Sequence, residues 1–79
     1  MTYLVSYDIR TPGRDYTVLL NTLASFENSR RMLRSVWLLE SSLSTTVIHD
    51  HLSQFVDSND RLLVCQILNF NVANPISAN

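Results

Sequence analysis

The chain has no lysine, one glycine and one cysteine. One glycine is too few for a phosphate-cradling loop or a dinucleotide fingerprint, because both need several glycines in a short stretch. One cysteine excludes a disulfide within the chain. Cys65 lies in the apolar stretch LLVCQIL with no adjacent histidine or lysine, which is typical of a small buried hydrophobe in a reducing, cytoplasmic compartment.

Long apolar runs are also missing. No stretch approaches the roughly 20 residues that a membrane-spanning helix needs. The first ten residues lack the basic start of a signal peptide, and Asp8 interrupts their apolar stretch. We therefore expect no membrane partner. The 79 residues allow one domain with a modest core, and domains of this size often depend on a partner or a metal.

The first half of the chain changes its hydrophobic period twice. Residues 2 to 10 alternate, with Leu4, Ser6 and Asp8 on one side, which predicts a strand that the sequence TPGR at 11–14 ends. A stripe of leucines then predicts a helix from an N-cap at Asp15, with Gly13 as the competing start, to a stop at Asn28. Residues 30 to 41 are predicted to be extended: one long strand, or a short strand and a long one.

If residues 30 to 41 form two strands, a bend at Arg34–Ser35 would join them. We expect no tight turn in this stretch, because it contains no glycine, proline or asparagine. A second helix is predicted to start at the N-cap Ser44. Its expected buried stripe consists of Val47, Ile48, His51, Leu52 and Phe55.

His49 and His51 resemble a metal pair. Residues two apart on a helix do not face each other, so we expect His51 to be a core or boundary residue instead. Residues 61 to 68 are almost continuously apolar, which predicts a strand covered on both faces.

The element order β–α–β(β)–α–β predicts an α+β fold, a ferredoxin-like βαββαβ sandwich over residues 1–68 with two helices on one face of an antiparallel sheet. If Tyr3 and Val5 pack under the helices, Leu4, Val36 and Leu38 look outward. An open apolar face needs a cover, so we expect a homodimer through that face. Residues 69–79 are expected to form a tail, either a short strand that pairs with a partner's sheet edge or a loose segment, frayed after residue 75.

Asp8 is the candidate catalytic and metal-binding residue. It falls at the carboxyl end of the first strand, on the side assigned to the open face. In a two-fold dimer one Asp8 could approach its symmetry mate, and a Mg²⁺ or Mn²⁺ ion between the two carboxylates would relieve their repulsion. Such an ion can polarise a phosphodiester and generate hydroxide. The alternative is an ordinary solvated residue at a strand end.

All positive side chains are arginines, whose planar donor fork suits phosphate and carboxylate. Five of them are predicted to share one end of the sheet as a patch for RNA or DNA phosphates: Arg10, Arg14, Arg30, Arg31 and Arg34. The alternative is that they form intramolecular ion pairs with the seven acidic residues. Tyr7 or Trp37 is available for base stacking, but a tryptophan in a strand is more often part of the core.

Three stretches resemble a known family: YLVSYDIR before the first helix, LRSVWLLESSLS before the second, and DRLLVCQI at the last strand. They are similar to the small CRISPR-associated adaptation proteins, dimeric partners of the CRISPR integrase, and closest to short stand-alone SinR-like relatives. The resemblance implies a ferredoxin-like homodimer with Asp8 as the metal-site candidate. It also implies metal-dependent nuclease activity on RNA or DNA, or else a non-catalytic nucleic-acid-binding adaptor or toxin–antitoxin component. The chain is shorter than typical members of that family, and its net charge of −1 indicates no basic groove.

Overall fold

The computed structural model describes residues 1–10 and 15–76; residues 11–14, Arg14 among them, and 77–79 lie outside the described part. The elements are β1 (Thr2–Asp8), α1 (Thr17–Ala24), β2 (Glu27–Leu33), β3 (Val36–Glu40), α2 (Thr45–Ser53) and β4 (Arg61–Ile67). The strands form one sheet in the order β2-β3-β1-β4, and each neighbouring pair is antiparallel. This is the predicted α+β, ferredoxin-like arrangement.

Both helices pack on the same face of the sheet. Alternate residues of the central strands are buried there with two residues from each helix: Tyr3, Val5, Tyr7, Trp37 and Leu39 against Leu19, Leu23, Ile48 and Leu52. The period of two in the strands and the helical spacing of the leucines put these side chains on facing surfaces. Trp37 is therefore a core residue. Neither helix, at eight and nine residues, has the length and apolarity of a membrane span within the described residues.

The start of α1 differs from the predicted cap. The helix begins at Thr17 and ends at Ala24, so Asp15 lies one residue before the cap position and Asn28 belongs to β2. Asp15 still organises the start, because its carboxylate accepts hydrogen bonds from the hydroxyl and the backbone N–H of Thr17. These bonds, the hydroxyl first, hold the pKa of Asp15 below its ordinary value.

The second helix begins as predicted, with Ser44 Oγ accepting from the backbone N–H of Val47 at 3.2 Å. Its predicted buried stripe is wrong at two positions. Ile48 and Leu52 are buried, but Val47 and His51 are exposed. A helix of nine residues presents only a narrow face to the sheet, and His51 lies outside it, with its ring edge-on to Phe55 at 5.6 Å between centroids.

A tight turn at Arg34–Ser35 joins β2 to β3, contrary to the expectation that this stretch has none. Tertiary bonds hold it in place of turn-forming residues. The backbone N–H of Tyr7 donates to Ser35 O at 3.1 Å, and the Tyr7 hydroxyl lies 3.5 Å from Arg34 O. The Arg31 guanidinium also donates twice to Arg34 O. The preceding strand is the longer of the two.

The outer face of the sheet is the face turned away from the helices. It carries Leu4, Leu38 and Leu63, as the cross-strand register shows. The expectation that the last strand is covered on both faces is wrong. β4 is an edge strand, and Leu63 is 56% exposed on the outer face. Both faces of β4 are only partly covered, because each of its residues is half-buried or exposed.

The described part of the tail, residues 69–76, contains no strand and crosses the outer face. It leaves β4 at one edge of the sheet, and Phe70 lies under the Arg30 guanidinium at 5.7 Å. The Ile76 N–H then donates to Met32 O at 2.9 Å on the other edge strand, β2. Leu38, on the outer face, is only 3% exposed although it lies outside the helix-side core. The chain therefore covers part of its own open face.

We predict that Tyr7→Phe lowers the free energy of unfolding by about 1–3 kcal/mol, because the buried Trp37 Nε1–H donates to the Tyr7 hydroxyl at 3.1 Å and would lose its acceptor. Urea denaturation measures the change. Ser42→Ala, at an exposed serine of the loop before α2, is the control and should stay within about 0.5 kcal/mol of the parent. Equal stability of the tyrosine variant and the parent would contradict a stabilising role of the hydrogen bond between Trp37 and Tyr7.

Candidate functional site at the carboxyl end of β1

Asp8 closes β1 at the end of the sheet where β4 begins, here called the Asp8 end. It is exposed and lies opposite Arg61 in the β1–β4 register. Its Oδ2 is 3.3 Å from Arg10 Nη1, and both side chains are slightly more than half exposed, at 55% and 54%. An ion pair this exposed contributes about 0–1 kcal/mol. The carboxylate is therefore open to exchange its arginine for another cation.

Asp60 joins three segments at the same end. Its Oδ1 accepts the backbone N–H of Arg10 at 2.8 Å, and its Oδ2 accepts the Tyr16 hydroxyl at 2.7 Å and the Asp57 N–H at 2.8 Å. These bonds tie the chain after β1 to the residue that precedes α1 and to the loop before β4. Hydrogen bonds to a charged acceptor are stronger than neutral ones. Asp60 therefore fixes the backbone that carries the Asp8–Arg10 pair.

The predicted arginine patch is only partly gathered. Arg10 and Arg34 share the Asp8 end, because the β2–β3 turn lies beside Tyr7. Arg31 also reaches this end, but its guanidinium donates to the Arg34 carbonyl. Arg30 lies on the other half of the sheet, opposite Leu38 and over Phe70.

A shallow pocket of about 170 Å³ adjoins Asp8 on the outer face. Its lining is Ser6, Tyr7, Asp8, Arg61, Leu62 and Leu63. Within residues 1–10 and 15–76, no group of three or more potential ligands among histidine, cysteine and acidic residues gathers in one place. Asp8 by itself matches the one or two carboxylates that Mg²⁺ takes from a protein. A single chain therefore supplies one ligand, and further ligands would have to come from a second copy, from water or from a substrate phosphate.

Two residues of this region were missed from the sequence. Arg61 could have been found, because the predicted order of a ferredoxin-like sheet puts the end of β1 beside the start of β4. Asp60 had no such signal. Its partners Arg10 and Tyr16 lie 50 and 44 residues away in the chain, and the sequence DSND around it indicates only a turn.

We predict that Asp60→Ala lowers the free energy of unfolding by about 2–3 kcal/mol, because it leaves a part-buried N–H and a tyrosine hydroxyl without their charged acceptor. Chemical denaturation provides the measurement. Asp50→Ala removes an exposed carboxylate from α2 and is the matched control. If the two variants lose the same stability, Asp60 does not join the three segments as described.

Comparison of the chain with protein-family models finds no match. Asp8, Arg10 and Arg61 lie together at one corner of the sheet. That arrangement combines an exposed carboxylate, arginines and an adjacent shallow pocket.

Proposed function

We propose that the chain is a homodimeric, metal-dependent nuclease that cleaves phosphodiester bonds in RNA or DNA. One observation carries the proposal: Asp8 is an exposed carboxylate at the end of β1, beside Arg10 and Arg61 on the outer face. A carboxylate that binds a cation, next to arginines that bind phosphate, is the minimum that such chemistry needs.

Each residue has a distinct role in the proposed reaction. Asp8 of each copy would hold a divalent cation, Mg²⁺ or Mn²⁺, which when bound polarises the phosphodiester and lowers the pKa of a water molecule. Arg10, released from Asp8 by the cation, would bind a phosphate oxygen. Arg34 and Arg61 would hold the neighbouring phosphates of the strand. Attack of water on phosphorus would form a new P–O bond and break one P–O ester bond. A proton from the water would pass to the departing oxygen, so that the products are a phosphomonoester end and a hydroxyl end.

The dimer is supported by apolar residues that stay exposed at the Asp8 end. Leu33 and Leu63 are 45% and 56% exposed, and the register puts both on the outer face. Two-fold contact between these surfaces would bury both leucines and bring the two Asp8 carboxylates towards each other. The tail covers a different part of the same face, near Arg30.

A second candidate function is a non-catalytic, nucleic-acid-binding adaptor or toxin–antitoxin component. The Arg10–Asp8 ion pair favours it, because a carboxylate that serves only to hold an arginine would form the same contact. In that case the arginines bind phosphate and Asp8 positions Arg10.

We predict metal-dependent cleavage of single-stranded RNA or duplex DNA that is lost with chelator. Asp8→Ala should reduce the rate by more than about 100-fold, because it removes a metal ligand. Loss of a residue that only supports such a ligand typically lowers metal affinity or activity by about 10- to 100-fold. Asp50→Ala, at an exposed carboxylate on α2, should keep the parent rate. Cleavage that survives Asp8→Ala would remove Asp8 from the mechanism, and absence of cleavage with every substrate and metal would favour the adaptor.

We also predict that light scattering gives twice the 9.0 kDa mass of one chain. Leu63→Glu should convert this dimer to a monomer, because it puts a charge in the exposed apolar surface that the two copies would bury. Leu43→Glu is the matched control, since Leu43 is 43% exposed just before α2, and its carbonyl accepts the hydroxyl of Tyr3, a residue of the helix-side core. A dimer that survives Leu63→Glu, or a parent monomer at micromolar concentration, would contradict the paired carboxylates.

A further inference from the structure

A second, larger pocket of about 370 Å³ lies at the opposite end of the outer face, where β1 begins. Its walls come from β2, β3 and Thr2 of β1, and Phe70 of the tail closes one side. The volume is within the range of small-molecule sites in proteins. The nucleic-acid site proposed above makes no use of it.

Three side chains in the pocket have different chemistries. The Arg30 guanidinium lies over the Phe70 ring, and Arg30 Nε is buried with no hydrogen-bond partner among the described residues. Buried donors are almost always paired, so an unpaired one points to a missing acceptor. Glu40 accepts the Thr2 hydroxyl at 2.6 Å through Oε2, which leaves the lone pairs of Oε1 for a ligand.

The backbone of β2 shapes the pocket around these groups. Asn28, which lines the pocket, has a positive φ of 51°, a conformation that asparagine tolerates better than most residues. From Glu27 to Arg30 the strand advances three residues while β3 advances two, from Glu40 to Leu38, so β2 holds one extra residue. Such a bulge bends the strand and redirects a side chain, here next to Arg30.

The charges decide which ligand the pocket can take. A phosphate or another anion is disfavoured, because Glu40 lines the pocket and Glu27 lies opposite it in the register. A purely apolar ligand would leave Arg30 Nε unpaired. The ligand should be a neutral, flat ring with acceptors for the arginine and donors for the carboxylate.

We propose that this pocket binds a nucleobase and prefers guanine. Guanine presents O6 and N7 as acceptors, which arginine recognises with its donor fork, and its adjacent N1–H and amino group can donate to the Glu40 carboxylate. The Phe70 ring, which lines the pocket, is a surface on which a base can stack. The base could belong to a free nucleoside or to an unpaired residue of a strand. Only the second source rests on the proposed nucleic-acid function.

The test is a titration of the ¹⁵N-labelled full chain with guanosine and with uridine, followed by the backbone amide signals of Arg30 and Glu40. We expect saturable shifts, with guanosine at least about tenfold tighter than uridine, since one bidentate contact discriminates between bases by that much. Titration with a four-residue oligoguanosine or oligouridine RNA distinguishes the sources. Tighter binding of the oligoguanosine than of guanosine indicates an unpaired base of a strand; equal binding indicates a free nucleoside.

Two variants test the assigned contacts. Glu40→Gln retains an acceptor for Thr2 but presents an amide to the guanine donors. Arg30→Lys keeps the positive charge but removes Nε. Each variant should weaken guanosine binding at least about tenfold. Asp50→Asn, on exposed α2, is the control for a lost carboxylate and should leave the affinity unchanged. No saturable shift with any probe, equal affinity for guanosine and uridine, or unchanged affinity in Glu40→Gln would overturn the proposal.

Asp8→Ala separates the two sites. Guanosine affinity that persists in this variant, together with lost cleavage, supports a pocket independent of the proposed nuclease site. Guanosine affinity that falls with Asp8→Ala would overturn the location of the pocket at the other end of the sheet.

Discussion

The central strands β1 and β3 carry apolar side chains on both faces, and the two helices can cover only one. The helix-side face is closed by leucines and an isoleucine from α1 and α2. The outer face has to be covered by something else, because leaving a leucine in water forfeits about 2 kcal/mol relative to burying it. The tail meets this need for Leu38 by crossing from the β4 edge to the β2 edge. It leaves Leu33 and Leu63 exposed.

The path of the tail divides the outer face into two parts with different properties. At the Asp8 end the surface is open and apolar and has an exposed ion pair at its rim. At the other end the tail forms one wall of a pocket that contains Glu40 and Arg30. A two-fold contact confined to the Asp8 end is compatible with the tail as it lies. A contact over the whole outer face would have to displace Phe70 and break the bond between Ile76 and Met32.

The sequence was sufficient for those parts of the fold that depend on local periodicity. Alternation in residues 2 to 8 correctly separated Tyr3 and Val5 from Leu4, and Ser44 was correctly identified as an N-cap. The element order then led to the strand order, which brings Asp8 and Arg61 together. The position of Asp8 on the outer face was therefore predictable, whereas its pairing with Arg10 depends on a loop conformation that periodicity does not determine.

What the sequence could not reveal depends on contacts between distant residues. The turn at Arg34–Ser35 lacks turn-forming residues and is held by Tyr7 and Arg31, so no local signal marks it. Asp60 joins segments about 50 residues apart by accepting bonds that any aspartate can accept. The tail was predicted as strand-like or loose, because its own pattern gives no indication that it packs across the sheet.

The arginines show how one residue type can serve structure and binding together. Arg31 holds a turn, Arg30 lies over an aromatic ring, and Arg10 pairs with Asp8. The first two contacts are internal to the fold. The third is exposed and worth about 1 kcal/mol at most, so a divalent cation at Asp8 could replace the guanidinium at little cost. The released arginine could then bind a phosphate. Cation binding and phosphate binding at this corner would strengthen each other, because each requires the ion pair between Asp8 and Arg10 to open.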